Sequence, residues 1–123
     1  MGNSATYAAL PHAINKYKAI SKKMRDIVAN GTAASYLPPD LESDPSVIAG
    51  YRAQLSVLAD LFSNPGAPTL ETPWSTGPGA WSFLLHPLSR GTVRLNLTDP
   101  LEQPILDYRA GTNPMDFDVH LAM

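Results

Sequence analysis

Cysteine is absent from the 123 residues, which excludes disulfides, thiolate metal sites and cysteine nucleophiles together. Charge is scarce too. Asp, Glu, Lys and Arg make up 16% of the chain and leave a net charge of −2. With 44% apolar residues, this is the balance of a folded domain, not the low hydrophobicity and high net charge of a disordered chain. No run approaches the roughly 18 apolar residues of a membrane span. No charged segment followed by an apolar one opens the sequence. A secretory leader is therefore not expected, and a cytoplasmic location is the default for a compartment otherwise unknown. Met1-Gly2-Asn3-Ser4-Ala5-Thr6 fits the loose pattern for N-myristoylation.

Proline is abundant, at 12 residues, roughly double average usage, and falls mostly between the expected elements. A helix is expected from about His12 to Asn30, because Ile14, Tyr17, Ile20, Met24, Ile27 and Val28 recur at helical spacing. Gly31 would end it. A second helix is expected over Pro45 to Phe62. Asp44 is its N-cap, Pro45 its first residue, and Ile48, Tyr51, Leu55, Leu58 and Phe62 form one stripe. Residues 1–66 thus read as a helical part.

Residues 67–80 read as a Pro/Gly-rich loop carrying Trp74. Residues 81–123 read as a small sheet and the start of a helix. Trp81 to His86 is one strand, and Thr92 to Leu97 is a second with the alternation of a half-buried element. A short third strand is expected over Pro104 to Tyr108. Asn113-Pro114 then opens a helix that stops mid-pattern at Met123, so the chain reads as truncated. The expected class is α+β, a small antiparallel sheet with helices packed on one face.

The basic side chains are polarised. Five of them and one acid precede Thr32, whereas four basic and ten acidic residues follow Gly31. The basic helix brings no aromatic stacking platform, so nucleic acid is not an expected partner. Neither is a membrane. Asp116, Asp118 and His120 sit at i, i+2 and i+4, but two ligands on one helix face are too few for a metal site, and no metal is expected. His12, His86 and His120 are isolated from any nucleophile or carboxylate arrangement. Asn30-Gly31-Thr32 and Asn96-Leu97-Thr98 are glycosylation sequons, the second lying in an expected strand.

The run Phe83-Leu84-Leu85-His86-Pro87-Leu88-Ser89-Arg90-Gly91-Thr92-Val93-Arg94-Leu95 continues through Thr98-Asp99-Pro100, Pro104-Ile105-Leu106-Asp107-Tyr108 and Asn113-Pro114-Met115-Asp116. It resembles the substrate-binding domain of the glucose-methanol-choline (GMC) flavin oxidoreductases. There a strand ends in proline, a Ser-Arg-Gly turn follows, and an Asn-Pro-x-Asp segment opens a helix. Ser35-Tyr36-Leu37-Pro38-Pro39, Tyr51 to Gln54 and Pro68 to Glu71 are similar to fungal members near the aryl-alcohol oxidases and choline dehydrogenases.

The resemblance implies an FAD-dependent alcohol oxidoreductase whose cofactor sits on a Gly-x-Gly-x-x-Gly loop. The chain has no such loop. Gly77-Pro78-Gly79 is the nearest approach, and Pro78 removes an amide donor. The family's catalytic histidine lies downstream of the last helix. The expectation is therefore a portion of the substrate domain that binds no cofactor and oxidises nothing alone.

The catalytic residues are unknown, with His86 and Arg90 as candidates. The resemblance gives Arg90 a turn position from which it could pair with a carboxylate of the sheet, and gives Gly91 the role of conformational freedom. Trp74, Trp81 and Phe83 are the candidate substrate-binding residues, with core packing as the alternative. A rival expectation is a cofactor-free homodimer that covers its bare sheet with a second copy and binds or cyclises an apolar small molecule. A purely structural remnant is the third.

Overall fold

The computed structural model describes residues 4–74 and 81–122. Strand β1 (Ser4–Ala8) leads into the short helix α1 (Leu10–Ala13), then α2 (Tyr17–Ala29), a 3-10 turn over Thr32–Tyr36 and the long helix α3 (Pro45–Ser63). Strands β2 (Leu70–Trp74), β3 (Phe83–Leu84), β4 (Thr92–Arg94) and β5 (Ile105–Asp107) follow, and α4 (Met115–Leu121) comes last. The class is α+β. The strands form two antiparallel sheets, one ordered β1-β2-β3 and one holding β4 and β5 alone.

Helices α2 and α3 form because their apolar residues meet on one side. Ile20 and Met24 of α2 and Tyr51, Leu55, Leu58 and Phe62 of α3 are all buried in one cluster. Asp44 caps α3 by accepting the Ser46 and Val47 amides, and Pro45 follows where its missing N–H costs nothing. The cap interactions hold the Asp44 carboxyl below its ordinary range, the Ser46 hydroxyl contributing most and the Val47 and Ser46 amides next. No helix among the described residues is long and apolar enough to cross a membrane.

The first helix starts later than its spacing suggests. Pro11 sits in the separate turn of α1, and Ile14 is extended at φ −142, ψ 140. Ile14 still enters the core, but through an extended backbone rather than a helical face. The segment over residues 67–80 is not loop throughout, because Leu70–Trp74 is the central strand of the first sheet. Pro73 hid it. A proline breaks an inner ladder, yet β3 pairs only with Leu70 and Glu71, so Pro73 lies beyond that ladder. Strand β1 was also unforeseen. Its partners run from Ser4 opposite Trp74 to Ala8 opposite Leu70.

The second sheet is shorter than its alternation promised. Leu95, Asn96 and Leu97 fall outside β4, and among the described residues no layer covers either face of the β4–β5 hairpin. Val93, Ile105 and Leu106 are exposed, while Leu97 is 84% and Leu101 99% accessible.

Candidate functional site

The connection that links β3 to β4 is anchored by both helices α3 and α4. Its Leu88 side chain is fully buried. The Asp116 carboxylate accepts the Leu88 amide at 2.6 Å and the Ser89 amide at 3.0 Å. The Tyr51 hydroxyl donates to the Leu88 carbonyl at 2.9 Å and accepts from Asn113 Nδ2 at 3.0 Å. Ser89 Oγ accepts the Asn113 amide, and Asn113 Oδ1 in turn accepts the Met115 amide. Asn113 and Asp116 are buried, so each of these bonds works in a low-dielectric setting where an unpaired group would be costly. Burial pushes the Tyr51 phenol up, against the opposing pull of the Asn113 hydrogen bond and the Arg90 charge.

Two glycines fix the approach of neighbouring chain. A Cβ on Gly91 would stand 2.0 Å from the Asp107 carbonyl oxygen. Gly91 is therefore needed for close backbone approach to β5, and its φ is not in the left-handed region. Gly111 is left-handed at φ 72, and a Cβ there would meet the Phe117 ring at 2.5 Å.

Between this anchored turn and α4 lies a concavity of about 420 Å³. Phe83, Tyr108 and Phe117 give it aromatic walls, Pro87 and Gly111 close its sides, and Asp116 and His120 add a carboxylate and an imidazole. It is mostly apolar with a few convergent polar groups, the usual make-up of a small-molecule site.

Of the residues singled out in the sequence, Phe83 lines this concavity and is 53% exposed. Trp74 and Trp81 do not line it. Trp74 ends β2, exposed, with its indole Nε1 donating to Thr6 Oγ1 at 2.7 Å, and Trp81 is also exposed. His86 is half-buried and outside the lining. Arg90 pairs with no carboxylate among the described residues. Its guanidinium donates to Gln54 Oε1 and to the Pro87 and Ser89 carbonyls, and it stacks 5.9 Å from the Tyr51 ring centroid.

Arg94 of β4 is the arginine that pairs with a carboxylate here, that of Asp40 in the turn before α3. Asp116 and His120 both line the concavity, but the two Asp116 oxygens accept the Leu88 and Ser89 amides. No group of three or more His, Asp or Glu gathers among the described residues. Gly77-Pro78-Gly79 lies outside the described residues. Asn96 leaves the strand and accepts the Thr98 and Asp99 amides in a turn.

Tyr51, Tyr108, Phe117 and His120 carry roles that sequence reasoning missed. Tyr51 read as one more core residue of the α3 stripe. The Asn113-Pro114-Met115-Asp116 run was the available signal for the anchoring network, through its resemblance to a helix opening.

No protein-family profile matches the chain. Known proteins do. A solved fungal aryl-alcohol oxidase is 58% identical and superposes with a TM-score of 0.92 over 98% of this chain and 21% of its own. A solved FAD-dependent oxidoreductase from Chaetomium thermophilum is 37% identical with a TM-score of 0.84, over 96% of this chain and 19% of its own. Among curated sequences, the dehydrogenase xptC of Emericella nidulans is 37% identical over 90 residues, which are 73% of this chain and 14% of that protein. A dehydrogenase of Armillaria gallica is 58% identical over 31 residues. The chain thus spans about a fifth or less of the proteins it matches. Sequence and fold together show a chain similar to part of a glucose-methanol-choline oxidoreductase.

Proposed function

We propose that this chain supplies part of the substrate domain of an FAD-dependent alcohol oxidoreductase, contributing sheet and one aromatic wall of the alcohol pocket. The observation that carries the reading is a coincidence of two features. The chain follows the fold of an aryl-alcohol oxidase along almost its whole length, and Phe83, Tyr108 and Phe117 converge on one apolar concavity. The intact enzyme would move a hydride from the alcohol carbon to the flavin.

The residues in hand do not fit the flavin itself. No Gly-x-Gly-x-x-Gly run occurs in the sequence. Gly31 opens only a 3-10 turn, and Gly50 lies inside α3, so neither offers a phosphate cradle at an α-helix start. The part played by this chain is to bind and orient: the aromatic wall holds the apolar body of a substrate, and the Asp116–Asn113–Tyr51 network keeps that wall in place. On this reading the chain alone neither binds flavin nor oxidises an alcohol.

The test is a chimera in which this chain replaces the aligned segment of the fungal aryl-alcohol oxidase. The expected product is a yellow protein that oxidises benzyl alcohol, with Phe83→Ala raising KM about tenfold, the loss of one aromatic contact. A colourless or inactive chimera beside an active parent control would sink the proposal.

One observation favours a second reading, a cofactor-free dimer around an apolar small molecule. The β4–β5 hairpin leaves Leu97 and Leu101 almost fully exposed, and a second copy is one way to cover such a patch. Light scattering on the purified chain separates the two readings, since a monomer mass excludes the dimer.

A further inference from the structure

The polar side chains on the aromatic concavity differ in what they already hold. Asp116 gives both carboxylate oxygens to the Leu88 and Ser89 amides. Ser89 Oγ accepts the Asn113 amide. His120 lines the same concavity, and no hydrogen bond or ion pair engages its imidazole among the described residues. The other carboxylate of α4, Asp118, is held by Lys23 at 2.8 Å.

The helix explains where His120 stands. Residues four apart share a helix face, so His120 lies one turn beyond Asp116, on the side of α4 that meets the β3–β4 connection. The two amide bonds to Asp116 fix that side of the helix. The imidazole is half-buried, on a concavity walled by Phe83, Tyr108 and Phe117. A hydrogen bond made there is shielded from water more than one on an open surface, and a ligand that leaves the imidazole unpaired is disfavoured.

We propose that His120 is a specificity-determining residue of this concavity, and that the ligand it selects is an aromatic alcohol carrying a phenolic hydroxyl. This rests on the function proposed above and names the substrate class within it. The aromatic walls take the ring through stacking and edge contacts. An imidazole N–H donates to a phenolic oxygen, and an unprotonated imidazole nitrogen accepts a phenolic proton, so the hydroxyl is matched whichever way the imidazole is turned. The volume of about 420 Å³ suits a small-molecule site. A site that hydrogen-bonds a substrate hydroxyl discriminates strongly against the analogue that lacks it.

The experiment has two parts. In the chain alone, imidazole NMR signals are followed while 3-hydroxybenzyl, 4-hydroxybenzyl or benzyl alcohol is added. His12 and His86 do not line the concavity and act as internal references. The His120 signals should shift saturably with at least one hydroxylated alcohol, at about tenfold lower concentration than benzyl alcohol needs. In the aryl-alcohol oxidase chimera, His120→Leu should raise KM for that hydroxylated alcohol about tenfold, while kcat and the KM for benzyl alcohol stay within about twofold. His120→Gln keeps a donor and an acceptor and should recover part of the loss. Tyr108→Phe keeps the aromatic wall and should not reproduce it.

His120 signals that do not move, equal KM changes for all three alcohols, or a loss that follows Tyr108→Phe instead would overturn the role of His120, while an active chimera leaves the function proposal standing. A colourless or inactive wild-type chimera, beside an active parent control, overturns both.

Discussion

The two halves of the molecule solve the problem of their apolar residues differently. From Leu10 to Ser63, helical spacing brings Leu10, Met24, Leu55 and Phe62 into a core that excludes water completely. From Phe83 to Ala122, Leu88, Met115 and Val119 join that core, while most other large apolar residues stay exposed. The helical half closes on itself because α2 and α3 present complementary stripes. The hairpin cannot do the same, because two strands without a third layer bury little. The difference teaches that local patterning can be correct while its burial partner lies elsewhere. Val93, Leu95 and Leu97 alternate as a half-buried strand should, and nothing among the described residues covers them.

Mutations can break or sharpen that contrast. The largest effect is expected at Phe62, where Phe62→Ala should cost about 4 kcal/mol in denaturant unfolding, whereas Leu101→Ala should stay within about 0.5 kcal/mol. Equal losses at the two sites would mean that the hairpin is covered in solution. Next comes the network that ties the halves together. Asp116→Ala leaves the Leu88 and Ser89 amides without an acceptor and should cost about 2–3 kcal/mol. The same chemical denaturation measures it, and a loss near zero would show the turn anchored by other means.

Tyr51→Phe removes one donor and one acceptor and should cost about 1–2 kcal/mol near neutral pH. Tyr51 also carries a pH signature. Its folded phenol is raised above the unfolded value near 10.0, so its stabilisation is complete below that pH and is lost as pH climbs through the folded value. Alkaline titration followed by circular dichroism should show a limb above pH 10 that Tyr51→Phe abolishes. The smallest effect is at the α3 cap. Asp44 is lowered from 3.8, so its contribution is present above that pH and fades as pH falls through the lower folded value. Amide exchange at Ser46 and Val47 should quicken there first, and unchanged exchange would argue against the cap.

Legibility followed the same divide. Helix α3 was readable from Asp44 and Pro45 to Phe62, since cap, first-turn proline and stripe all agree. The α2 stripe was readable too, although Ile14 reaches the core by a different backbone. Strand β2 was not, because Pro73 argues against a central strand unless one knows how short β3 is. The aromatic concavity was half visible. Phe83 could be named from the strand, but Tyr108, Phe117 and His120 converge on it through a loop and a helix whose approach depends on Gly111 and the Asp116 anchor.

Hydrogen exchange on the chain alone and within the aryl-alcohol oxidase chimera tests the contrast most directly. Amides of α2 and α3 should be strongly protected in both, while those of β4 and β5 exchange within seconds in the chain alone and become protected in the chimera. Equal, strong protection of β4 and β5 in the chain alone, at monomer mass, would contradict the account, because the hairpin would then need no partner.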